Sequence, residues 1–451
     1  MVLAAIILYI VFQFFVGWYV SRRIKTEDDY LVAGRSLGYG VATMTIFATW
    51  FGAETVVGAS GEFYGGGTTG GTADLFGYAF CLIGMGLFLA APLRRMNLTT
   101  TADLFRRRYS VTVERIAVLL MVPTSIIWAS AQIRAFGQVL SVSSGAEVTT
   151  MILLAAAVVI LYTTFGGLLA DAWTDMVQGA VLIAGLLILF IIVVGDVGAA
   201  GFARLTPAQL DPFGDDIGFW GHLENWAIPI CGSIMAAELI SRVIAAKTPG
   251  VARSASLSAG GLYIVIGLIP VMIGLLAIGM MPGVAEGEQI LPLVAQRYLP
   301  GVVYALFAGA LISAILSTVD SALLVASGLV SHNLIVPLRP NISERGKVLT
   351  ARFGVATGGV IACVLALQGT GIDALVEEAS SFGSAGIFVV VLFGLFTRFG
   401  GPRSGGASLI AGLLSWIVGA YIIALPLPYL VSLICAFLAY VVTALLEKRA
   451  S

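Results

Sequence analysis

Charge is scarce in this chain. Asp, Glu, Lys and Arg make up 11% of its 451 residues, against 59% hydrophobic residues. That balance excludes an ordinary soluble domain and implies an all-α protein that crosses a bilayer many times. Histidine is scarcer still: only His222 and His332 are present, and the topology given below puts them on opposite sides of the membrane, so they form no metal pair. The four cysteines, Cys81, Cys231, Cys363 and Cys435, fall in four separate apolar runs with no CxxC spacing, which argues against disulfides and thiolate metal centres. No GxxxxGK[S/T] loop occurs, so ATP is not expected to drive the protein. The loops are too short for a soluble catalytic domain, and no effector segment is expected after the last span. A carrier, a channel, a transporter-like sensor and an intramembrane enzyme remain. The enzyme would need a paired catalytic set, such as two facing aspartates or Ser with His, and none is visible.

Hydropathy marks thirteen spans with soft ends: 2–21, 38–63, 73–93, 113–140, 149–165, 173–195, 221–246, 256–281, 300–332, 350–368, 377–397, 405–424 and 428–446. The first is not a cleaved signal, because no basic residue precedes it and Arg22, Arg23 and Lys25 follow it. With the N-terminus outside, 21 of the 24 Lys and Arg residues fall in inner loops or the C-terminal tail, Asp171 sits in a short inner turn, and the basic exceptions are Arg134, Arg204 and Arg297. The positive-inside rule therefore predicts N-out and C-in, in the plasma or inner membrane. The basic loops are a topology signal, so no nucleic-acid partner is expected. The expected partners are the bilayer, a small solute and an ion, in a monomer or weak homo-oligomer.

Span 9 carries a polar cluster inside a greasy run: Ser313, Ser317, Thr318, Asp320 and Ser321. At about 100° per residue these side chains share an arc of roughly 160°. Hydroxyls and a carboxylate on one face of a membrane helix need a cavity, a partner helix or an ion. Helix–helix glue is the plain reading, and an ion site is the sharper one. A channel would need a continuous polar path, whereas this cluster is local.

Two other spans look broken. Span 2 is loosened by Gly52, Ala53, Gly58 and Gly61 around a buried Glu54, and span 7 by Pro229 and Gly232. If spans 2–6 (38–195) and 7–11 (221–397) are two repeats, followed by a C-terminal pair at 405–446, each break lies in the first helix of its repeat. Inverted-repeat carriers place their midplane sites at such breaks. Asp175 at the start of span 6 would need an ion or hydroxyls from another helix.

These segments resemble the sodium:solute symporter family, with its thirteen spans on the LeuT-type fold. The matching pieces are DYLVAGRSLG, GAETVVGASG, TTADLFRRRYS, LYTTFGGLLADAWTDMVQ, RVIAAKT and SAILSTVDSALLVAS. The resemblance implies sodium-coupled secondary active symport and Na+ as the coupling ion. It implies a sodium held by the carbonyls of Ala48, Phe51 and Ala314 and the hydroxyls of Ser317 and Thr318. It also implies a second sodium or coupling group around Asp175, with Ser313 and Asp320 as further candidates.

The family carries many solutes, so the lining must speak for the substrate. Trp50, Tyr78 and Trp128 match three positions of the aromatic cage in the choline-transporter branch, while Ala236 stands where that branch has tryptophan. Aromatic cages hold quaternary ammonium groups through cation–π attraction. Glu54, Glu238 and Glu377 are nearby acids able to pair a cation. Thr55, Pro229 and Gly232 replace groups expected for a sugar. The expected solute is a small organic cation or zwitterion, with an amino acid or monocarboxylate as the alternative.

Overall fold

The computed structural model describes residues 11, 15, 19 and 26–450, apart from 166, 167, 215, 216, 340 and 370. The expected span at 2–21 falls almost wholly outside these residues. The spanning and bent helices are α1 (Tyr39–Trp50), α2 (Glu54–Gly66), α3 (Gly71–Arg95), α4 (Val111–Ser144), α5 (Val148–Thr164), α6 (Asp171–Gly198), α7 (Gly218–Met235), α8 (Ala237–Ala245), α9 (Pro249–Met280), α10 (Gly301–Leu338), α11 (Glu344–Gln368), α12 (Ile372–Ser381), α13 (Ser384–Phe396), α14 (Pro402–Ile422) and α15 (Pro428–Lys448). Among the described residues the one β-type pairing is an isolated bridge between Leu37 and Ala246. It clips the approach to α1 onto the end of α8.

Eight of these helices are long and apolar enough to cross a membrane, and three bent pairs bring the number to eleven. The apolar helix α5 is shorter. At 1.5 Å per residue its length falls below the roughly 30 Å of a hydrocarbon core. The expected thirteen spans are therefore not reached among the described residues.

Helix starts follow local chemistry. Ser110 accepts a hydrogen bond from Val113 N at 3.2 Å, Thr248 from Val251 N at 3.2 Å, and Ser343 from Gly346 N at 3.1 Å. Each side chain satisfies a donor that a helix start leaves open.

Three bends position the site. Helices α1 and α2 meet at 58°, α7 and α8 at 45°, and α12 and α13 at 42°. In the second pair Pro229 and Gly232 widen the helix, yet the chain leaves helical geometry later, at Ala236 (φ −58°, ψ 133°). The third bend is absent from the sequence reading. Gly383 lies there at φ +67°, a conformation glycine adopts without a Cβ penalty.

Helix α10 is the axis of the bundle. It packs on α1, α4, α6 and α11, and every residue from Phe307 to Leu324 is buried. By contrast α14 and α15 pack on each other and on α13, and most of their surface is left to lipid.

Candidate ion and solute site

The polar arc of α10 divides among three neighbours. Thr318 Oγ1 lies 3.3 Å from the carbonyl of Ala48 and 3.3 Å from that of Ala314. The Ala48 carbonyl belongs to the last turn of α1, where a helix end leaves acceptors without intrahelical donors. Phe51 marks the break itself, with φ −89° and ψ 56°. Gly52 makes the approach possible: a Cβ there would come within 2.7 Å of Thr318 Oγ1 and 2.9 Å of Gln132 Oε1. Ser317, next to Thr318, donates to Asp175 Oδ1 from the second direction, and Thr45 of α1 donates to the other oxygen of the same carboxylate. Asp175 is fully buried. Thr45 was not foreseen from sequence.

The third neighbour takes Asp320 away from this cluster. Its carboxylate accepts from Thr163 of α5, so Asp320 does not join Asp175 in one hydrogen-bonded group. Ser313 is buried on the same helix. Asp171 corrects another expectation. It lies in the first turn of α6 and not in a turn between helices; it is buried, ion-paired with Arg242 and hydrogen-bonded by Ser321 at 3.1 Å. Arg242 in turn is fully buried on α8 and does not lie in a loop. A buried guanidinium needs a carboxylate partner, and Asp171 supplies it. Ser321 Oγ also lies 2.7 Å from the Ser317 carbonyl, so the Asp171–Arg242 pair adjoins the Asp175 cluster through Ser321 and Ser317.

The basic exception Arg134 has a comparable explanation. It lies 3.6 Å from Glu288 and donates to the carbonyl of Gly369 at 3.1 Å, so its charge is offset locally.

Beside the break, three aromatic residues gather. The ring centroids of Trp50 and Trp128 are 5.5 Å apart, and those of Tyr78 and Trp128 are 6.2 Å apart and edge-on. All three are buried. Thr55 is bonded to the Tyr263 hydroxyl and so belongs to the packing behind the break. Gly232 and Ala236 border a separate small void with Ser125 and Ser384, apart from the trio. Glu238, expected near the solute, is buried on α8 and does not line the cavity described next.

That cavity, about 180 Å³, is walled by Glu54, Glu62, Asp74, Asp373, Glu377 and Tyr78, with Pro229 among its apolar borders. Glu54 is held by Gln132, whose Nε2 donates to Oε2 at 2.8 Å and whose Oε1 accepts from Ala53 N at 2.9 Å. Sequence reasoning found Glu54 and Glu377 and missed Glu62, Asp74 and Asp373. The available signal was spacing: Asp373 and Glu377 are one helical turn apart, as are Asp74 and Tyr78, and Glu62 lies two turns beyond Glu54.

A second polar cluster ties the short helix Ala102–Arg108 to the end of α10. Asn333 Nδ2 donates to Asp103 at 3.0 Å and to Glu114 at 2.7 Å, while His332 lies 3.0 Å from Glu27 and 3.5 Å from Asp103. Burial works to raise the Asp103 carboxyl, but hydrogen bonding and charge from His332 and the amides of Thr100 and Thr99 outweigh it, and the group is lowered to about 2.

The family model described as "Sodium:solute symporter family" matches residues 30–401. The chain belongs to that family. As a symporter it is a multi-pass membrane transporter that uses sodium, and it is not an enzyme. It is 27% identical over 400 residues to the High-affinity choline transporter 1 of Caenorhabditis elegans, covering 81% of this chain and 68% of that one. It is 28% identical over 448 residues to the human High affinity choline transporter 1, covering 92% and 76%. It is also 26% identical over 435 residues to the osmoregulated proline transporter OpuE of Bacillus subtilis, covering 91% and 87%. In fold, the symporter superposes on a substrate-bound, outward-open Na+-coupled sialic acid symporter with a TM-score of 0.84 at 19% identity, covering 99% and 98% of the two chains. Mhp1, a nucleobase-cation-symport-1 family transporter, matches at a TM-score of 0.62 and 14% identity, covering 93% and 94%. The fold is therefore of the LeuT type.

Proposed function

We propose that this symporter imports a small, choline-like organic cation together with sodium. The observation that carries the reading is the joining of two features at one helix break. The trio of Trp50, Tyr78 and Trp128 flanks the break that also brings the Ala48 carbonyl to Thr318. Each ring facing an ammonium contributes about 0.5–2 kcal/mol. In the proposed site, sodium takes its oxygens from Ala48, Phe51, Ala314, Ser317 and Thr318. By bridging α1 to α10 it fixes the backbone that carries Trp50, so ion and solute reinforce each other's binding, and this coupling is reciprocal. The Asp175 cluster supports a second cation or a coupling role, with Ser317 shared between the two positions.

The alternative, an amino acid or monocarboxylate, fits less well. Among the described residues the acid-lined cavity has no lysine or arginine in its wall to receive a substrate carboxylate. The two repeats proposed for the cycle are 38–195 and 221–397, rocking about the site. The proposed orientation is N-out and C-in, in the cell membrane.

Tryptophan fluorescence tests the reading, because two of the trio report directly. Choline is expected to shift the emission saturably in sodium and weakly in potassium, with the shift lost in Trp128→Leu. A response to choline that is equal in both salts would overturn the coupling. A response to proline and none to choline would overturn the solute class.

A further inference from the structure

We propose that the solute carries two cationic groups, one held by the aromatic trio and the other by the carboxylates of the adjoining cavity. The inference rests on the reading of the protein as an organic-cation symporter and goes beyond it by setting the number of charges on the solute. The cavity of about 180 Å³ gathers Glu54, Glu62, Asp74, Asp373 and Glu377, and among the described residues its wall holds no lysine, arginine or histidine. None of these five carboxylates is ion-paired among the described residues. Glu54 is only 6% exposed, and among the described residues Oε2 accepts from Gln132 while Oε1 has no donor from another side chain. A buried carboxylate oxygen without a donor is costly, and a charged N–H group arriving in the cavity would satisfy it.

The two compartments share their boundary. Tyr78 lines the cavity and meets Trp128 edge-on, and Glu54 follows Trp50 by one helical turn across the break. A single ammonium seated among the rings would leave the carboxyl groups of the cavity with no cation beside them. A second ammonium on a flexible linker supplies that cation without a further binding event. Among the described residues no three His, Cys, Asp or Glu side chains are arranged to hold a metal ion, so the geometry favours an organic ammonium over a divalent metal.

The test is a titration of the purified full chain in sodium, followed by tryptophan fluorescence. The probes are tetramethylammonium, as the single charge, and bis(trimethylammonium)alkanes of increasing linker length. One linker length is expected to bind roughly tenfold or more tightly than the monocation, about 1.4 kcal/mol. In the double variant Asp74→Asn, Asp373→Asn, that ratio should fall to near unity. Equal affinity for the monocation and every dication in the unmodified protein would overturn the proposal and leave organic-cation symport standing, and that comparison needs no variant. A dication preference that survives the double substitution would also overturn it. No binding of either probe class in sodium would remove the underlying reading as well.

Discussion

Thr318 is the residue on which the ion reading turns, because its hydroxyl lies 3.3 Å from the Ala48 carbonyl of the broken helix. Thr318→Ala is expected to raise the sodium concentration for half-maximal uptake about tenfold, near 1.4 kcal/mol, while Thr318→Ser stays close to the parent. An unchanged sodium curve in Thr318→Ala would show that the hydroxyl is only helix glue. Arg242 invites a different measurement. Removing it leaves the Asp171 carboxylate buried and uncompensated, so Arg242→Ala is expected to lose about 3–5 kcal/mol of stability. Thermal unfolding in detergent checks this, and an unaltered midpoint would mean that water reaches Asp171. The hydroxyls of α10 were legible in sequence because one helical face collected them. The partners of Asp171 and Asp320 were not. They come from α8 and α5, and no local pattern says which distant helix will pack there.

Among the elements, the bend between α1 and α2 matters most. Gly52 sits where α1, α4 and α10 converge, and a single methyl group would strike Thr318, Gln132 and Glu54 side chains at 2.7–2.9 Å. Gly52→Ala is therefore expected to fold with its helices intact by circular dichroism yet lose sodium-dependent uptake. Normal uptake in that variant would mean that the three side chains yield easily and do not form the site. The first two bends were readable because glycine and proline interrupt long apolar runs. The second still fell later than Pro229, at Ala236, because the proline first widened the helix and the chain turned only where α8 meets its neighbours. The third bend had a weaker signal, one glycine among serines at 380–384, in a stretch that otherwise reads as a continuous span. The acidic cavity was half legible for the same reason: spacing within α2, α3 and α12 was visible, but their convergence was not.

At the scale of the whole molecule, composition and the spread of charge were enough to give an all-helical membrane protein, and the family match agrees. One consequence concerns acid. The folded Asp103 carboxyl is lowered to about 2 from an ordinary value of 3.8, so its ionised form is favoured by folding. Its contribution, roughly 2 kcal/mol, is fully present above the ordinary carboxylate range and disappears as pH falls from about 4 through 2. Asp103→Asn should therefore be less stable than the parent near neutral pH, with the gap closing on acidification. A gap that stays constant with pH would show that Asp103 acts only through shape.

The central claim is that sodium and an organic cation move together, and uptake in proteoliposomes tests it most directly. Radiolabelled choline should accumulate against its gradient when sodium is higher outside, and a negative interior should increase the uptake, since each charge crossing 100 mV gains about 2.3 kcal/mol. Collapse of the sodium gradient should abolish accumulation. Equilibration of choline at the same rate with sodium, with potassium or with no gradient would contradict the account.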